Sequence, residues 1–231
     1  MRILQKSLCL AAVLLLSASF HPTQSLPFTP QAVSAANNFP AQEQRNNLPV
    51  IVAFGDSLTA GFGAGAGQSY PDFLQRDLVA DGYHYRVVNL GVTGNTTKDG
   101  LARIKDVAVL KPVLTIVAFG GNDGLRGLPV AEMRTNLDTI LGTLKRSGTK
   151  IVIGGITLPP NYGVAYVKSF NSVYPELAAK YKVPLLPFML DGVWSNPPLM
   201  QPDGIHPTGP GNAVVAKKFL PLIEPLLKKQ H

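Results

Sequence analysis

The sequence predicts an α/β fold, a single three-layer α/β/α sandwich around a parallel five-stranded sheet. Short apolar segments alternate with amphipathic segments from Val50 to near the end of the chain. The apolar segments are continuous. Strands with one solvent-exposed face would instead alternate between polar and apolar residues, so this pattern indicates strands that are covered on both faces. Strands and helices that alternate in this way favour a parallel sheet between two helix layers.

Five apolar segments are predicted to be strands, at 50–54, 86–90, 114–119, 151–156 and 184–188. Helices are predicted at 70–80, 97–110, 129–146, 165–180 and 211–227. The clearest helix is 129–146, whose apolar residues recur every three or four positions along one face. Pro129 suits its first turn and Gly148 its end. The order of elements predicts a doubly wound, flavodoxin-like sheet, in which ligands bind beyond the carboxyl ends of the strands.

Composition supports one domain and argues against nucleic-acid binding. The 231 residues are 45% hydrophobic and 15% charged, enough apolar material for a sizeable core. The net charge is +7, but Lys and Arg are dispersed and not interleaved with aromatic residues. A nucleic-acid partner is therefore not expected. A mildly cationic surface allows at most transient contact with a membrane surface.

The N-terminus is typical of an exported protein. Arg2 and Lys6 precede an apolar run at 8–16, the pattern of a secretory signal peptide. An uncleaved anchor is the alternative, although the run is short for a membrane span. We expect a signal peptide at 1–25 with an undefined cleavage site, a flexible leader at 26–47 and the folded domain at 48–231. Export to the periplasm or beyond is expected.

The single cysteine, Cys9, lies within the predicted signal peptide. The mature chain would then have no disulfide, cysteine nucleophile or thiolate metal site.

Four polar segments carry residues suited to catalysis. They lie at 55–61, 91–97, 120–124 and 203–207. The first three directly follow predicted strands, so a doubly wound fold would bring them together at one edge of the sheet.

These four segments, in this order, resemble the four sequence blocks of the SGNH (GDSL) hydrolases. The resemblance covers about 50–227, and the longer phrases at 120–127 and 158–163 favour the bacterial thioesterase/protease/lysophospholipase and arylesterase branch. It implies the SGNH hydrolase fold and a serine esterase or thioesterase that works through an acyl-enzyme. No cofactor or metal is implied.

The resemblance identifies a catalytic triad of Ser57, Asp203 and His206. A serine hydroxyl is a weak nucleophile and needs a base, for which His206 is the best candidate. Asp203 lies three residues earlier, so one tight turn could set its carboxylate against the imidazole.

The resemblance also implies an oxyanion hole formed by the backbone N–H groups of Ser57 and Gly94 and the side-chain amide of Asn122. One position departs from the pattern, because close relatives often carry Asp where this chain has Asn95.

Substrate-binding residues are expected in two apolar loops, 125–128 and 158–162. In the resembling branch such loops border an acyl-binding groove, which implicates Leu125, Asn161 and Tyr162. Ordinary loop apolarity explains these residues about as well.

Other interpretations stay open at this stage. Asp56 and Ser57 could simply cap a helix, residues 122–124 could form only a turn, and Asp203 could be a helix cap. The expected substrate is a small acyl ester, a thioester or a lysophospholipid, and the expected state is a monomer. A secreted acyltransferase, or a lipid- or glycan-binding module without activity, is the alternative on the same fold.

Overall fold

A computed structural model describes residues 47–229, so that the predicted signal peptide and all of the predicted leader except Asn47 lie outside the described range. The sheet consists of β1 (Val50–Gly55), β2 (Arg86–Gly91), β3 (Leu114–Ala118), β4 (Lys150–Gly154) and β5 (Leu185–Leu186). All pairs are parallel, in the order β2-β1-β3-β4-β5. This order confirms the predicted doubly wound, flavodoxin-like fold.

Helices cover the sheet in two groups. They are α1 (Ser57–Ala60), α2 (Tyr70–Ala80), α3 (Thr97–Ala102), α4 (Ile104–Val109), α5 (Gly121–Leu125), α6 (Val130–Arg146), α7 (Val164–Tyr181) and α8 (Gly209–Ile223). Helix α2 packs against α8, whereas α6 packs against α3 and α7. Between residues 47 and 229, no helix has both the length and the apolarity needed to span a membrane.

The core lies on both faces of the central strands. Every residue of β1 and β3 is buried, whereas β2 at the sheet edge is mostly half-buried. The apolar face predicted for α6 is the buried face, formed by Met133, Leu137, Ile140, Leu141 and Leu144. Burial on both sides explains why the central strands are apolar at every position except Thr115.

One predicted helix is divided. The segment 97–110 forms α3 and α4, which meet at Arg103, a residue with a non-helical φ of −110°. Helix α3 begins at a capping box, in which Thr96 and Asp99 satisfy each other's backbone N–H groups. The break has a tertiary cause, because the Arg103 side chain binds the ends of two strands instead of solvent.

The register of the sheet brings three polar segments together. Gly55 at the end of β1 pairs with Gly91 of β2 and with Ala118 of β3, so the three strands end at the same level. The residues that follow them emerge side by side, at the point between β1 and β3 where the strand order reverses. Such a switch point is where doubly wound folds bind ligands.

Candidate active site

Ser57 lies at the start of the short helix α1, directly after β1. The carboxylate of Asp56 caps this helix by accepting the N–H of Leu58 at 3.1 Å. The helix lies tightly against the end of β2, because a Cβ on Gly91 would come within 2.1 Å of the backbone nitrogen of Ala60. Capping and catalysis are therefore compatible, since Asp56 caps the helix while the Ser57 hydroxyl is left for other contacts.

The turn at 203–206 holds a carboxylate against an imidazole. One oxygen of Asp203 accepts the backbone N–H groups of Ile205 at 2.9 Å and His206 at 3.0 Å. The other oxygen lies 2.6 Å from Nδ1 of His206. An aspartate that closes its own turn in this way has a fixed side chain. Asp203 is therefore not a helix cap; Thr208 caps α8.

The first and last polar segments meet at a hydrogen bond between Ser57 and His206. The serine Oγ lies 2.8 Å from Nε2 of the imidazole, across 149 residues of sequence. Because a carboxylate can only accept, Nδ1 of the neutral ring carries the proton and Nε2 is free to accept the serine hydroxyl proton. This is the arrangement that activates a serine nucleophile.

The Asp203 carboxylate stays ionised in this setting. Burial alone would raise its pKa, but hydrogen bonds from the backbone and ring of His206 and from the N–H of Ile205 outweigh burial. The pKa of Asp203 is therefore held below its ordinary value. A carboxylate that is permanently charged can stabilise an imidazolium next to it.

Gln201 contacts this turn, and the sequence analysis did not identify it. Its amide nitrogen donates to the carbonyl oxygens of Phe62 at 2.6 Å and Pro207 at 2.9 Å, and thereby joins the loop after α1 to the histidine turn. The Phe62 ring packs 4.8 Å from the His206 ring, centroid to centroid. No local sequence signal marks Gln201, because its partner at Phe62 is 139 residues away.

The segments after β2 and β3 supply candidate donors for an oxyanion. Gly94 has a φ of +82°, a conformation that favours glycine. The side-chain amide of Asn122 donates to the backbone oxygen of Asn95 at 3.0 Å. Arg126, another residue that the sequence analysis missed, donates to the carbonyl of Gly94 at 2.9 Å. These contacts fix the two segments relative to each other.

Asp123 also joins the segment after β3 to the segment after β2. It is buried, and its carboxylate accepts the backbone N–H of Thr97 at 2.9 Å and the Thr97 hydroxyl at 2.6 Å. Burial raises the pKa of Asp123, although the bonds from Thr97 oppose the shift. The turn sequence at 122–124 therefore also has a tertiary role.

A single pocket of about 250 Å³ connects these groups. Ser57, Gly94, Asn122 and His206 all line it, with Asp203 behind the histidine. The rest of its wall is mainly apolar, formed by Leu58, Phe62, Leu125, Ile156, Leu158, Pro159, Phe188, Leu190, Trp194 and Ile205. The Ser57 side chain thus lies at a mostly apolar cavity with few polar groups, as in many small-molecule sites.

The predicted substrate-binding residues lie in different places. Leu125 lines the pocket, but Asn161 and Tyr162 do not. They belong to a 3₁₀ turn at Pro160–Tyr162 that follows Pro159, and the Tyr162 hydroxyl donates to the Leu125 carbonyl at 3.3 Å. The structure assigns this part of the wall to residues 156–159 instead.

The wall formed by Phe188, Leu190 and Trp194 was not anticipated. Only Phe188 belongs to the segment 184–188 that was predicted as the last strand. The regular strand ends at Leu186, and the chain beyond it turns toward the site.

Asp56 is a buried carboxyl group directly before Ser57. Burial raises its pKa to about 7, against a smaller opposing effect of the hydrogen bond from Leu58. The nearby charge of Asp123 contributes to this increase in pKa, and that of Arg103 opposes it. The folded state therefore binds a proton at Asp56 more tightly than the unfolded chain does, so the protonated form favours folding.

We expect Asp56→Asn to change how stability depends on pH. In the native chain this group makes the free energy of unfolding fall by up to ~4 kcal/mol as the pH rises from about 4 to about 7. The amide oxygen of Asn can keep the bond to Leu58 but does not ionise, so the variant lacks this decline. Urea unfolding at several pH values measures the slope. The control variant Asp81→Asn, at an exposed position, should keep the native slope. An unchanged slope in Asp56→Asn would contradict the raised pKa of Asp56.

Among residues 47–229, no group of three or more His, Cys, Asp or Glu side chains is placed to hold a metal ion.

Comparison with known proteins gives a consistent result. Residues 53–214 match the family model described as GDSL-like Lipase/Acylhydrolase. The chain is 39% identical over 185 residues to Esterase TesA of Pseudomonas aeruginosa, covering 80% of this chain and 92% of that protein. It is 36% identical over 180 residues to Thioesterase 1/protease 1/lysophospholipase L1 of Escherichia coli K12, covering 77% and 84%.

A solved structure agrees with these matches. The crystal structure of TesA superimposes with a TM-score of 0.74 at 40% identity, covering 77% of this chain and 99% of that one.

Proposed function

The chain belongs to the GDSL-like lipase/acylhydrolase family and is a carboxylic ester hydrolase, and from this premise we propose that Ser57, His206 and Asp203 are its catalytic triad. The contact of 2.8 Å between the Ser57 hydroxyl and Nε2 of His206 is the observation that carries the proposal. The proton on Nδ1, held by Asp203, leaves Nε2 as the base.

The proposed reaction has two steps. The Ser57 oxygen attacks the substrate carbonyl carbon while His206 takes the hydroxyl proton. The tetrahedral intermediate collapses, the imidazolium protonates the departing alcohol or thiol, and an acyl-enzyme forms. Water then attacks the acyl carbon and gives its proton to His206, and the second collapse releases the acid as Ser57 regains its proton.

Negative charge on the carbonyl oxygen develops in both steps. We assign its stabilisation to the N–H groups of Ser57 and Gly94 and the amide of Asn122, which line one pocket. Fixed donors of this kind need no reorganisation when the charge appears, and losing one typically lowers kcat by about 10²–10³-fold.

The size of the pocket favours acyl chains of medium length. An apolar cavity of roughly 150 Å³ accommodates benzene, which has six carbon atoms. By the same scale, the pocket of about 250 Å³ accommodates roughly ten carbon atoms. Esters and thioesters of medium-chain acids are therefore the proposed substrates.

A series of p-nitrophenyl esters from acetate to palmitate tests this function. Each methylene that becomes buried contributes about 0.8 kcal/mol, so kcat/KM should rise up to roughly fourfold per methylene and level off near ten carbon atoms. Acyl-CoA thioesters of the same lengths should show the same order. Absence of hydrolysis across both series would contradict the function, and a decline from acetate onward would contradict the acyl pocket.

Trp194 offers a direct test of the pocket wall. Its ring lines the cavity and is 42% exposed, so Trp194→Ala should remove contacts with a long acyl chain while the fold is kept. We expect kcat/KM for the octanoate ester to fall by about fivefold, which corresponds to ~1 kcal/mol of lost apolar contact. The value of kcat/KM for the acetate ester should change little.

The control for Trp194 is Val164→Ala, which truncates an apolar residue that is 82% exposed and not part of the pocket lining. Equal losses on acetate and octanoate in Trp194→Ala would show that this wall does not hold the acyl chain.

An added alcohol separates hydrolysis from acyl transfer. The acyl-enzyme can be attacked by water or by an alcohol, so the products formed with a glycerol or butanol co-substrate show which acceptor is preferred. We propose that water is the main acceptor, and a product mixture dominated by the new ester would contradict this.

We also propose that the chain is exported and acts as a monomer. The basic start and apolar run at 8–16 support export. N-terminal sequencing of the protein recovered outside the cytoplasm tests it, and an intact N-terminus on cytoplasmic protein would contradict it. Light scattering of the purified enzyme tests the monomer.

A further inference from the structure

We propose that Arg103 and Asn95 form a positioning pair that sets the orientation of Asn122, an inference that rests on the proposed role of Asn122 in the oxyanion hole. Neither residue of the pair lines the pocket. Their effect on the reaction passes through the loop after β2, which contains Gly94 and Asn95.

The Arg103 guanidinium binds three elements at once. Its Nη2 donates to the carbonyl of Gly55 at 2.7 Å and its Nη1 to the carbonyl of Leu90 at 2.8 Å, at the ends of β1 and β2. Its Nε donates to the side-chain oxygen of Asn95 at 2.6 Å. The loop is thereby fixed to the same strand end from which Ser57 emerges.

The guanidinium also packs against two aromatic rings. Its carbon lies 4.5 Å from the ring centroid of Phe54 and 5.5 Å from that of Phe119, two fully buried side chains. Burial lowers the pKa of Arg103, against nearby carboxylates that raise it. The planar, always charged fork of arginine suits this site, because lysine cannot donate in three fixed directions while stacked on rings.

Asn95 transmits this position to Asn122. The backbone oxygen of Asn95 accepts one N–H of the Asn122 amide at 3.0 Å. That nitrogen carries two hydrogens in a plane, so one bond fixes the direction of the other hydrogen. The remaining N–H is the donor that we assign to the oxyanion, and Asn95 therefore determines where it points.

The bond between Arg103 and the Asn95 side chain also predicts which side chains position 95 accepts. Arg103 needs only an acceptor from this side chain, and the amide oxygen of Asn supplies it as a carboxylate oxygen would. The pair therefore predicts that Asp is tolerated at 95 and that an apolar side chain of the same size is not.

Asn95→Asp and Asn95→Leu form the matched test. We expect Asn95→Asp to keep kcat within about twofold and Asn95→Leu to lower it by about tenfold with little change in KM, the signature of an interaction made in the transition state. Arg103→Met should resemble Asn95→Leu, and Arg134→Met, which removes a surface ion pair between α6 and α7, should leave kcat unchanged. Melting temperatures establish that each variant is folded.

A double-mutant cycle decides whether the pair acts through Asn122. In an Asn122→Ala background, Asn95→Leu should lower kcat by less than about twofold, because the donor that it positions is gone. A tenfold loss that persists in this background, or equal kcat values for Asn95→Asp and Asn95→Leu, would overturn the inference. The proposed function has its own test, which does not depend on the residue at position 95. It is wrong if Ser57→Ala keeps its activity.

Discussion

Ser57→Ala is expected to lower kcat for ester hydrolysis by about 10⁶-fold, the cost of losing the nucleophile in a serine hydrolase. The hydroxyl is the only polar group of this side chain, and its oxygen lies 2.8 Å from the imidazole nitrogen that would deprotonate it. Alanine keeps the backbone N–H at this position and adds no bulk. The variant should therefore fold, bind substrate and fail in the chemical step.

Steady-state kinetics on the octanoate p-nitrophenyl ester measure this effect. Ser169→Ala, an exposed serine in α7, is the control and should keep full activity. The additional removal of His206 from Ser57→Ala should cost little more, because the members of a triad act as one unit. Activity within tenfold of the native enzyme in Ser57→Ala would refute the proposed nucleophile.

Asp203→Asn is expected to lower kcat by about 10⁴-fold while the turn at 203–206 is kept. The amide oxygen of Asn can still accept the N–H groups of Ile205 and His206, but its nitrogen would then face Nδ1 as a donor. This favours the wrong tautomer, in which Nε2 carries the proton and cannot accept one from Ser57. The developing imidazolium also loses its carboxylate partner.

A comparison with Asp191→Asn isolates this effect. Asp191 is an exposed carboxylate that pairs with Lys218 at the surface, so its loss changes the net charge by the same amount without touching the triad. We expect full activity in Asp191→Asn and a loss in Asp203→Asn with little change in KM. Equal activity of the two variants would mean that the contact of 2.6 Å has no catalytic role.

The sequence predicted the sheet well because burial on both faces leaves a strong pattern. The strands at 50–54 and 114–119 are apolar apart from Thr115, and both are central and buried. The helix at 97–110 was predicted as one element because local propensity does not register a tertiary contact. The guanidinium of Arg103 binds Gly55 and Leu90, and the helix is interrupted where it does so.

The candidate triad was accessible from sequence because its polar segments directly follow strands or occupy a tight turn. The residues that support the site could not be predicted from the sequence. Gln201, Arg103 and Arg126 contact partners that only the fold brings near them. Apolar pocket walls are equally hard to predict, because nothing local distinguishes Trp194 in the pocket from an exposed residue such as Val164.

Covalent labelling with a fluorophosphonate tests the central claim most directly, because the reagent reacts with an activated serine and mimics the tetrahedral intermediate. Peptide mass spectrometry should find one phosphonyl group per chain, on Ser57, with labelling abolished in Ser57→Ala and strongly slowed in Asp203→Asn. A native enzyme that hydrolyses esters but is labelled elsewhere, or not at all, would contradict the assignment of Ser57 as the nucleophile.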